Sequence, residues 1–168
     1  MKKKICIIGH ARHGKDTVAE FICKHYGYRS ESSSQAASRL FLYDALKDKY
    51  GYNTPEECFE DRVNHRAEWF DMICEYNKDY PGQLAKDIMQ NNEIYTGMRS
   101  DKELDACVRD GIFDMVIGVY DRYKPLEPVD SFDINLFTKS DFIIPNSGSL
   151  FELECKVVLL KELLAPMV

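Results

Sequence analysis

The sequence of 168 residues contains no apolar run near the roughly 18–20 residues that cross a bilayer. Behind the basic residues 2–4, the apolar stretch Ile5–Ile8 is too short for the core of a secretory signal. Basic residues are in the minority, 22 against 28 acidic ones, which gives a net charge of −6. A nucleic-acid polymer is therefore a poor partner, and we expect a cytoplasmic protein that binds no membrane.

The sequence also lacks any C-x-x-C pair. Its scattered cysteines argue against a zinc site and against the disulfide framework of a secreted protein. We interpret them as small apolar residues, buried or half-buried, in a reducing compartment. The six are Cys6, Cys23, Cys58, Cys74, Cys107 and Cys155.

The sequence does contain short β-branched runs that alternate with helical segments. This pattern predicts strands at residues 4–8, 28–32, 94–98, 115–120 and 142–144. It predicts helices at residues 15–26, 35–50, 54–77, 83–90, 100–111 and 149–164. The alternation indicates parallel β-α-β units, and therefore an α/β fold with a five-stranded parallel sheet between two layers of helices.

Apolar positions at helical spacing predict which side chains face the core. In the helix at 54–77 we expect Val63, Phe70 and Cys74 to be buried. In the last helix we expect the same of Leu150, Leu153, Val157, Leu160 and Leu164.

Between the first strand and the first helix, residues 9–15 fit the G-x-x-x-x-G-K pattern of a phosphate loop. The glycines let the backbone wrap so that successive N–H groups point at phosphate oxygens, and the helix N-terminus adds positive potential. Lys15 can bridge the outer phosphates of ATP. The alternative is a glycine-rich turn with a surface lysine. The expected ATP-binding residues here are Gly9, Ala11, Arg12, His13, Gly14, Lys15, Asp16 and Thr17.

The residue after Lys15 departs from the usual pattern, which has a serine or threonine there as a ligand of Mg²⁺. Asp16 takes that place, and its carboxylate can hold Mg²⁺ directly or through water. The alternatives are that Asp16 only favours the helix dipole, or that Thr17 is the ligand. We expect Mg²⁺ as the cofactor and Asp16 as its ligand.

Side chains within the loop differ in their expected roles. Lys15 and Arg12 are candidate catalytic residues, because phosphoryl transfer depends on charge stabilisation and positioning. His10 and His13 are expected to be solvated loop residues.

Three segments resemble the phage-type deoxynucleoside monophosphate kinases of the adenylate-kinase-like P-loop group. They are Gly-x4-Gly-Lys-Asp-Thr-Val-Ala at 9–19, Gly97-Met98-Arg99 followed by Glu103, and the segment 140–150, which together span nearly the whole chain. The resemblance implies a P-loop NTPase fold that transfers the γ-phosphoryl group of ATP to a (deoxy)nucleoside monophosphate. It also implies the host cytoplasm if a phage encodes the protein.

By the same resemblance, Arg99 holds the acceptor's α-phosphate and is a catalytic residue, although the usual Asp-Gly-x-Pro-Arg motif lacks its aspartate and proline here. Ser33 and Ser34 precede the second helix where these kinases hold their acceptor, and Arg39 follows one turn later. The alternative for the serines is a polar capping loop.

The helix that begins after Thr54 carries a second basic cluster. Arg62 and Arg66 are expected one turn apart on one face, with Trp69 beside them. Two guanidinium groups and a flat aromatic ring suit a phosphomonoester and its base. The alternative is a solvated charged face with Trp69 half-buried.

The polar segment 121–140 is interpreted as a lid. The resemblance implies that Arg122 closes over the triphosphate and is catalytic, assisted by Lys124 and Lys139. It also implies that Asn146 and Gly148 bind ATP beside the adenine.

The residues of the predicted site suit transfer to a phosphate better than hydrolysis, because Arg99 follows the third strand where a hydrolase needs a residue that orients water. A monophosphate is already anionic near neutral pH, so its attack needs no general base. Two alternatives remain: another small-molecule P-loop kinase, such as a dephospho-coenzyme A kinase, and a nucleotide-binding module without turnover. The partners expected are ATP and a nucleoside monophosphate, and the oligomeric state, a homodimer included, is left open.

The sequence predicts one domain with three parts. The core comprises residues 1–31, 92–120 and 141–168. The acceptor-binding helical region comprises residues 32–91, and the lid comprises residues 121–140.

Overall fold

The computed structural model describes residues 1–165, so residues 166–168 of the predicted core lie outside the described range. Every neighbouring strand pair is parallel, in the order β2-β3-β1-β4-β5. The predicted five-stranded parallel sheet is therefore confirmed. The strands are β1 (Ile5–Ile8), β2 (Ser30–Ser32), β3 (Ile94–Thr96), β4 (Met115–Tyr120) and β5 (Phe142–Pro145).

Helices connect successive strands and cover both faces of the sheet. They are α1 (Lys15–Tyr26), α2 (Ser33–Ala37), α3 (Tyr43–Tyr50), α4 (Pro55–Asp61), α5 (Arg66–Tyr76), α6 (Gln83–Ile88), α7 (Asp101–Arg109), α8 (Leu136–Lys139) and α9 (Leu150–Val158). A π-helical turn, Ser38–Leu42, joins α2 to α3, and 3₁₀ turns follow α4 (Arg62–Asn64) and α9 (Leu159–Lys161). Within residues 1–165, no helix has the length and apolar character that a membrane crossing requires.

The central strand β1 divides the core into two layers. Ile5 and Ile7 are fully buried in the cluster that contains apolar residues of α1 and α9. Cys6 and Ile8, which point to the opposite face, are buried with residues of α2, α3, α6 and α7. This alternation confirms the three-layer α/β/α arrangement.

The single helix predicted over residues 54–77 is wrong. The backbone breaks at His65 (φ −131°, ψ 32°), between a 3₁₀ turn and α5. The carboxylate of Asp61 accepts hydrogen bonds from Asn64, Tyr52 and the imidazole of His65 at 2.6–2.9 Å. The His65 ring also stacks on Tyr50, with the ring centres 3.9 Å apart. These side-chain contacts fix a conformation that a continuous helix does not allow.

The break changes which side chains reach the core. Val63, Phe70 and Cys74 are exposed, contrary to the prediction, and Trp69 is buried instead. In the last helix Leu150 is also exposed, whereas Leu153, Val157, Leu160 and Leu164 are buried as predicted. Cys155, too, is exposed rather than buried.

The second half of the predicted lid belongs to the core. Phe132, Ile134 and Leu136 are 3–4% exposed and pack in the same cluster as Tyr95 and Val116. Their alternating spacing places all three on one side of the chain. A lid role for the preceding residues 122–131 stays a prediction.

Gly97 follows β3 at the edge of the sheet where the phosphate loop also lies. It has a positive φ of 105°, and a Cβ there would stand 3.1 Å from Ser33 Cβ and 3.3 Å from Ser33 N. The close approach brings the start of α2 against the end of β3. Gly111 also has a positive φ, 69°, but has nothing within 4 Å of an added Cβ.

We predict that Gly97→Ala destabilises the protein more than Gly111→Ala does. The Gly111 change costs about 1–2 kcal/mol of backbone strain, and the Gly97 change adds about 1–3 kcal/mol of overpacking against Ser33. Urea unfolding of both variants measures the difference. Equal midpoints would show that the contact between Ser33 and Gly97 relaxes without cost.

Candidate active site

The phosphate loop turns sharply to deliver its N–H groups to the start of α1. Gly14 precedes the helix at φ 98°, and Arg12 has φ 66°, the one non-glycine residue within 1–165 with a positive φ. Such a conformation costs an arginine about 1–2 kcal/mol and persists only where its surroundings hold it. No side chain caps the N-terminus of α1 in the described residues. The first amides of the helix therefore remain available to an anion.

Residues at the ends of β4 and β5 hold the loop from behind. Asn146 donates from Nδ2 to the carbonyl oxygen of His13 at 3.0 Å. A Cβ on Gly14 would lie 2.4 Å from that Nδ2, and a Cβ on Gly9 would lie 2.8 Å from the carbonyl oxygen of Val119. Both loop glycines are thus required by close contacts. The side chain of Asn146 thus supports the loop, and the position of this residue beside the adenine stays a prediction.

Lys15 and Asp16 form an ion pair at the start of α1, with 3.2 Å between Nζ and Oδ2. The Lys15 side chain is 13% exposed, whereas that of Asp16 is 63% exposed and turned toward solvent. Thr17 is half-buried beside them. An exposed carboxylate next to the loop lysine can accept a cation carried by a nucleotide.

The donor set suits Mg²⁺ better than a metal held by protein alone. Within residues 1–165, no group of three or more His, Cys, Asp or Glu side chains is placed to hold a metal ion. Mg²⁺ keeps several waters and takes one or two carboxylates together with phosphate oxygens. Asp16 fits that requirement.

The expectation that His10 and His13 are solvated is wrong. His13 is fully buried and His10 is 8% exposed, because the segment 121–132 covers them. Nδ1 of His13 accepts a hydrogen bond from the Asp121 N–H (3.0 Å), which assigns the ring proton to Nε2, 3.2 Å from the carbonyl oxygen of Pro125. Burial and the neighbouring His13 lower the pKa of His10.

A carboxylate that the sequence did not single out lies against the phosphate loop. Glu127 Oε2 accepts a hydrogen bond from the Ala11 N–H at 2.7 Å, and Glu127 Oε1 accepts one from Arg99 Nη1. Its own N–H donates to Nδ1 of His10 at 3.0 Å. Partial burial opposes ionisation, but the bonds from Arg99 and Ala11 hold the pKa of Glu127 below its usual value.

Arg62 and Arg66 lie near each other although they do not share a helix. Burial and the charge of Arg66 lower the pKa of Arg62, and the charge of Asp16 opposes that shift. The Arg62 guanidinium lies over the Phe59 ring (3.7 Å to its centre) and donates to the Phe59 carbonyl oxygen at 2.7 Å. Arg62 is thus within electrostatic reach of both Arg66 and Asp16.

Other residues predicted to bind the acceptor are placed less favourably. Arg39 donates from Nε and Nη2 to the Glu31 carboxylate, at 3.0 and 2.9 Å. Trp69 is buried in the core with its indole N–H unpaired among residues 1–165. Ser33 borders Gly97, and Ser34 lies in the first turn of α2. A base can stack on Trp69 only if the core around it opens.

The residues predicted to lie in the lid and beside the adenine contact different parts of the protein. Arg122 is exposed, its guanidinium bonds to Tyr123, and its N–H donates to Ser147 Oγ at 3.2 Å. Lys124 is exposed. Lys139 is bound by Asp101 and Asp105 on α7 at 3.1 and 2.6 Å. An added Cβ at Gly148 would lie 2.0 Å from the Glu152 carboxylate.

The eight arginines fall into two groups, those that pair with a carboxylate and those that do not. Arg29, Arg39, Arg99 and Arg109 each pair with a carboxylate. Among the described residues, Arg12, Arg62, Arg66 and Arg122 have no carboxylate within 4 Å, and all four were predicted site residues. Unpaired cations in a chain of net charge −6 indicate an anionic ligand.

Solved structures resemble this fold over nearly its whole length. Shikimate kinase from Bacteroides thetaiotaomicron has a TM-score of 0.54 and 12% identity, over 98% of this chain and 99% of that chain. Shikimate kinase from Aquifex aeolicus has 0.53 and 12%, over 94% and 95%. Dephospho-CoA kinase from Campylobacter jejuni has 0.52 and 15%, over 95% and 96%.

The chain has the fold of the P-loop kinases. No family model and no curated protein matches the sequence. At 12–15% identity the similarity concerns the fold, and the reaction must be argued from the side chains.

Glu103 is a half-buried carboxyl on α7 that pairs with no cation among residues 1–165. Burial raises its pKa to about 7. Its one hydrogen bond is a long one, 3.5 Å from Asn77 Nδ2. Because the folded pKa lies above the unfolded value, this group favours folding below the unfolded pKa and loses that contribution as pH rises through about 7.

We predict that Glu103→Gln stabilises the protein, by roughly 3 kcal/mol near pH 8.5 and roughly 1 kcal/mol near pH 5.5. The amide keeps the shape and removes the buried charge. Urea unfolding at the two pH values measures the gain. Glu20→Gln, at an exposed position of α1, is the matched control and should change neither value. A gain independent of pH would contradict the prediction.

Proposed function

We propose that the protein is an ATP-dependent kinase that transfers the γ-phosphoryl group to a (deoxy)nucleoside monophosphate. One observation carries the proposal: the Glu127 carboxylate is bonded at once by the Ala11 amide of the phosphate loop and by Arg99. A loop amide and a guanidinium from the end of β3 therefore reach the same anion-sized position. A phosphoryl group in transfer from ATP to the acceptor needs hydrogen-bond donors on both the ATP side and the acceptor side.

The donor side follows from the geometry of the loop. Amides at the start of α1 bind the β- and γ-phosphates of ATP, and Lys15 neutralises charge that builds up on them. We expect Arg12 and Arg122, both exposed and free of carboxylate partners among residues 1–165, to close over the phosphates. When bound, Mg²⁺ would be held by Asp16 and would neutralise negative charge on the nucleotide phosphates.

The acceptor side rests on Arg62, Arg66 and Arg99. The positive charges of Arg62 and Arg66 repel each other in the free protein. A dianion bound between them would attract both, so that the net interaction becomes favourable. The phosphate of a nucleoside monophosphate is such a dianion near neutral pH. Ser33 and Gly97 border the same edge of the sheet and complete the proposed acceptor pocket.

Transfer to a phosphate also suits what the site contains. The attacking oxygen of the acceptor is already deprotonated, so the arginines and Lys15 need only align the reactants and stabilise charge. Acceptors that react through a hydroxyl require a base. The exposed carboxylate beside Lys15 is Asp16, which makes a hydroxyl-accepting kinase the second candidate.

We predict that ADP release, with each nucleoside monophosphate as acceptor, depends on Lys15. Lys15→Ala should lower kcat at least about 100-fold, because the variant loses a charge that acts on the transferred group. Lys24→Ala, an exposed lysine on the same helix paired with Glu154, is the control and should retain full activity. Turnover with a hydroxyl acceptor and none with any monophosphate would support the second candidate.

We predict that Arg62→Ala and Arg66→Ala each raise KM for the monophosphate about 10–100-fold with little effect on KM for ATP. Each variant loses charge-assisted hydrogen bonds to the acceptor phosphate. Arg109→Ala, which removes an exposed arginine paired with Asp110, is the control. An increase confined to KM for ATP would assign these arginines to the donor instead.

A further inference from the structure

We propose that Glu127 is an internal competitor for the phosphate position, so that the segment carrying it must leave the phosphate loop before nucleotide phosphate can bind. The inference rests on the proposed function, because it concerns the same loop. The contact joins residues 116 positions apart in the sequence.

Glu127 reproduces the bonding of a phosphate oxygen pair. One carboxylate oxygen takes the loop amide of Ala11 and the other takes the guanidinium of Arg99. A phosphoryl group bound in this loop uses the same donors. The single N–H of Ala11 cannot serve two anions, and two anions at one position repel each other, so the carboxylate and the phosphate exclude each other.

Three further bonds hold the segment in place. The Glu127 N–H donates to His10, the Asp121 N–H donates to His13, and His13 Nε2 faces the carbonyl oxygen of Pro125. Both loop histidines therefore bind the backbone of the segment that bears the competitor. This anchoring places the carboxylate at the loop reproducibly rather than by chance contact.

The segment is also able to withdraw. Its apolar side chains at Tyr123, Leu126 and Val129 are 62–78% exposed, so little buried area resists its movement. The rigid part of the chain resumes at Phe132, which is 3% exposed. Residues 122–131 thus form a strap between two fixed points, β4 and Phe132.

The consequence is a lowered affinity for phosphate ligands in the wild-type protein. A ligand that binds only when the strap has moved has its affinity reduced by the fraction of molecules in that state. Removing the carboxylate removes the competition. The gain in affinity should be seen with ligands that carry phosphates and not with ligands that lack them.

The test is calorimetric titration of the full chain with pyrophosphate, ATP and adenosine. Glu127→Ala and Glu127→Gln should bind pyrophosphate and ATP about tenfold more tightly than the wild type, the alanine variant at least as tightly as the glutamine variant. Adenosine binding should not change. Asp130→Asn, an exposed carboxylate change in the same segment, is the control and should behave as the wild type.

The other possible results of the titration would contradict the proposal that Glu127 competes with phosphate. Equal affinity of wild type and variants for phosphate ligands, weaker binding by the variants, or an equal gain for adenosine would each overturn it while leaving the kinase proposal standing. Failure of ATP and pyrophosphate to bind any of the proteins would overturn both. Thermal unfolding followed by circular dichroism shows that each variant is folded, and the two substitutions at Glu127 provide independent checks.

Discussion

The interaction on which the site depends is between an anion and the unpaired backbone N–H groups at the start of α1. Those groups point outward only if the preceding loop turns through left-handed conformations, which Arg12 and Gly14 adopt. The turn is stable because other parts of the chain press on it. The Asn146 side chain bonds to the loop from β5, and the Val119 carbonyl oxygen lies against Gly9 from β4. The sheet therefore determines the shape of the anion site.

Charge around this loop is arranged against the trend of the whole chain. The protein has a net charge of −6, and half of its arginines are neutralised by carboxylates. The arginines without a carboxylate partner among the described residues are Arg12, which lies in the loop, and Arg62, Arg66 and Arg122. Repulsion between Arg62 and Arg66 is a cost in the free protein, which a phosphate dianion converts to a gain. Local cationic character thus arises without an excess of basic residues.

The same positive potential attracts the protein's own carboxylates. Lys15 pairs with Asp16, and Arg99 and the Ala11 amide bind Glu127. A site that binds phosphate through charge and hydrogen bonds has no means of rejecting a carboxylate of similar geometry. Internal competition of this kind lowers affinity but keeps the loop and the strap ordered. It also links release of the strap to arrival of the nucleotide.

The sequence by itself determined the features that depend on residues close together in the chain. The G-x-x-x-x-G-K spacing predicts the phosphate loop, and three of the predicted helices begin at the side-chain N-caps Thr54, Ser100 and Ser149, each bonded to an amide within one turn. Helix α1 ends at Gly27 because that glycine takes the left-handed conformation that stops a helix.

Only the tertiary structure decided the features that depend on contacts between residues far apart in the chain. At the break at His65 the imidazole stacks on Tyr50 from α3. The burial of His10 and His13 comes from a segment more than 100 residues later in the chain. Trp69 and Glu127 show the same limit, since spacing along the chain carries no information about which side chain fills a given space. The sequence determined that a phosphate loop exists, and the packing of the strap determined which groups face it.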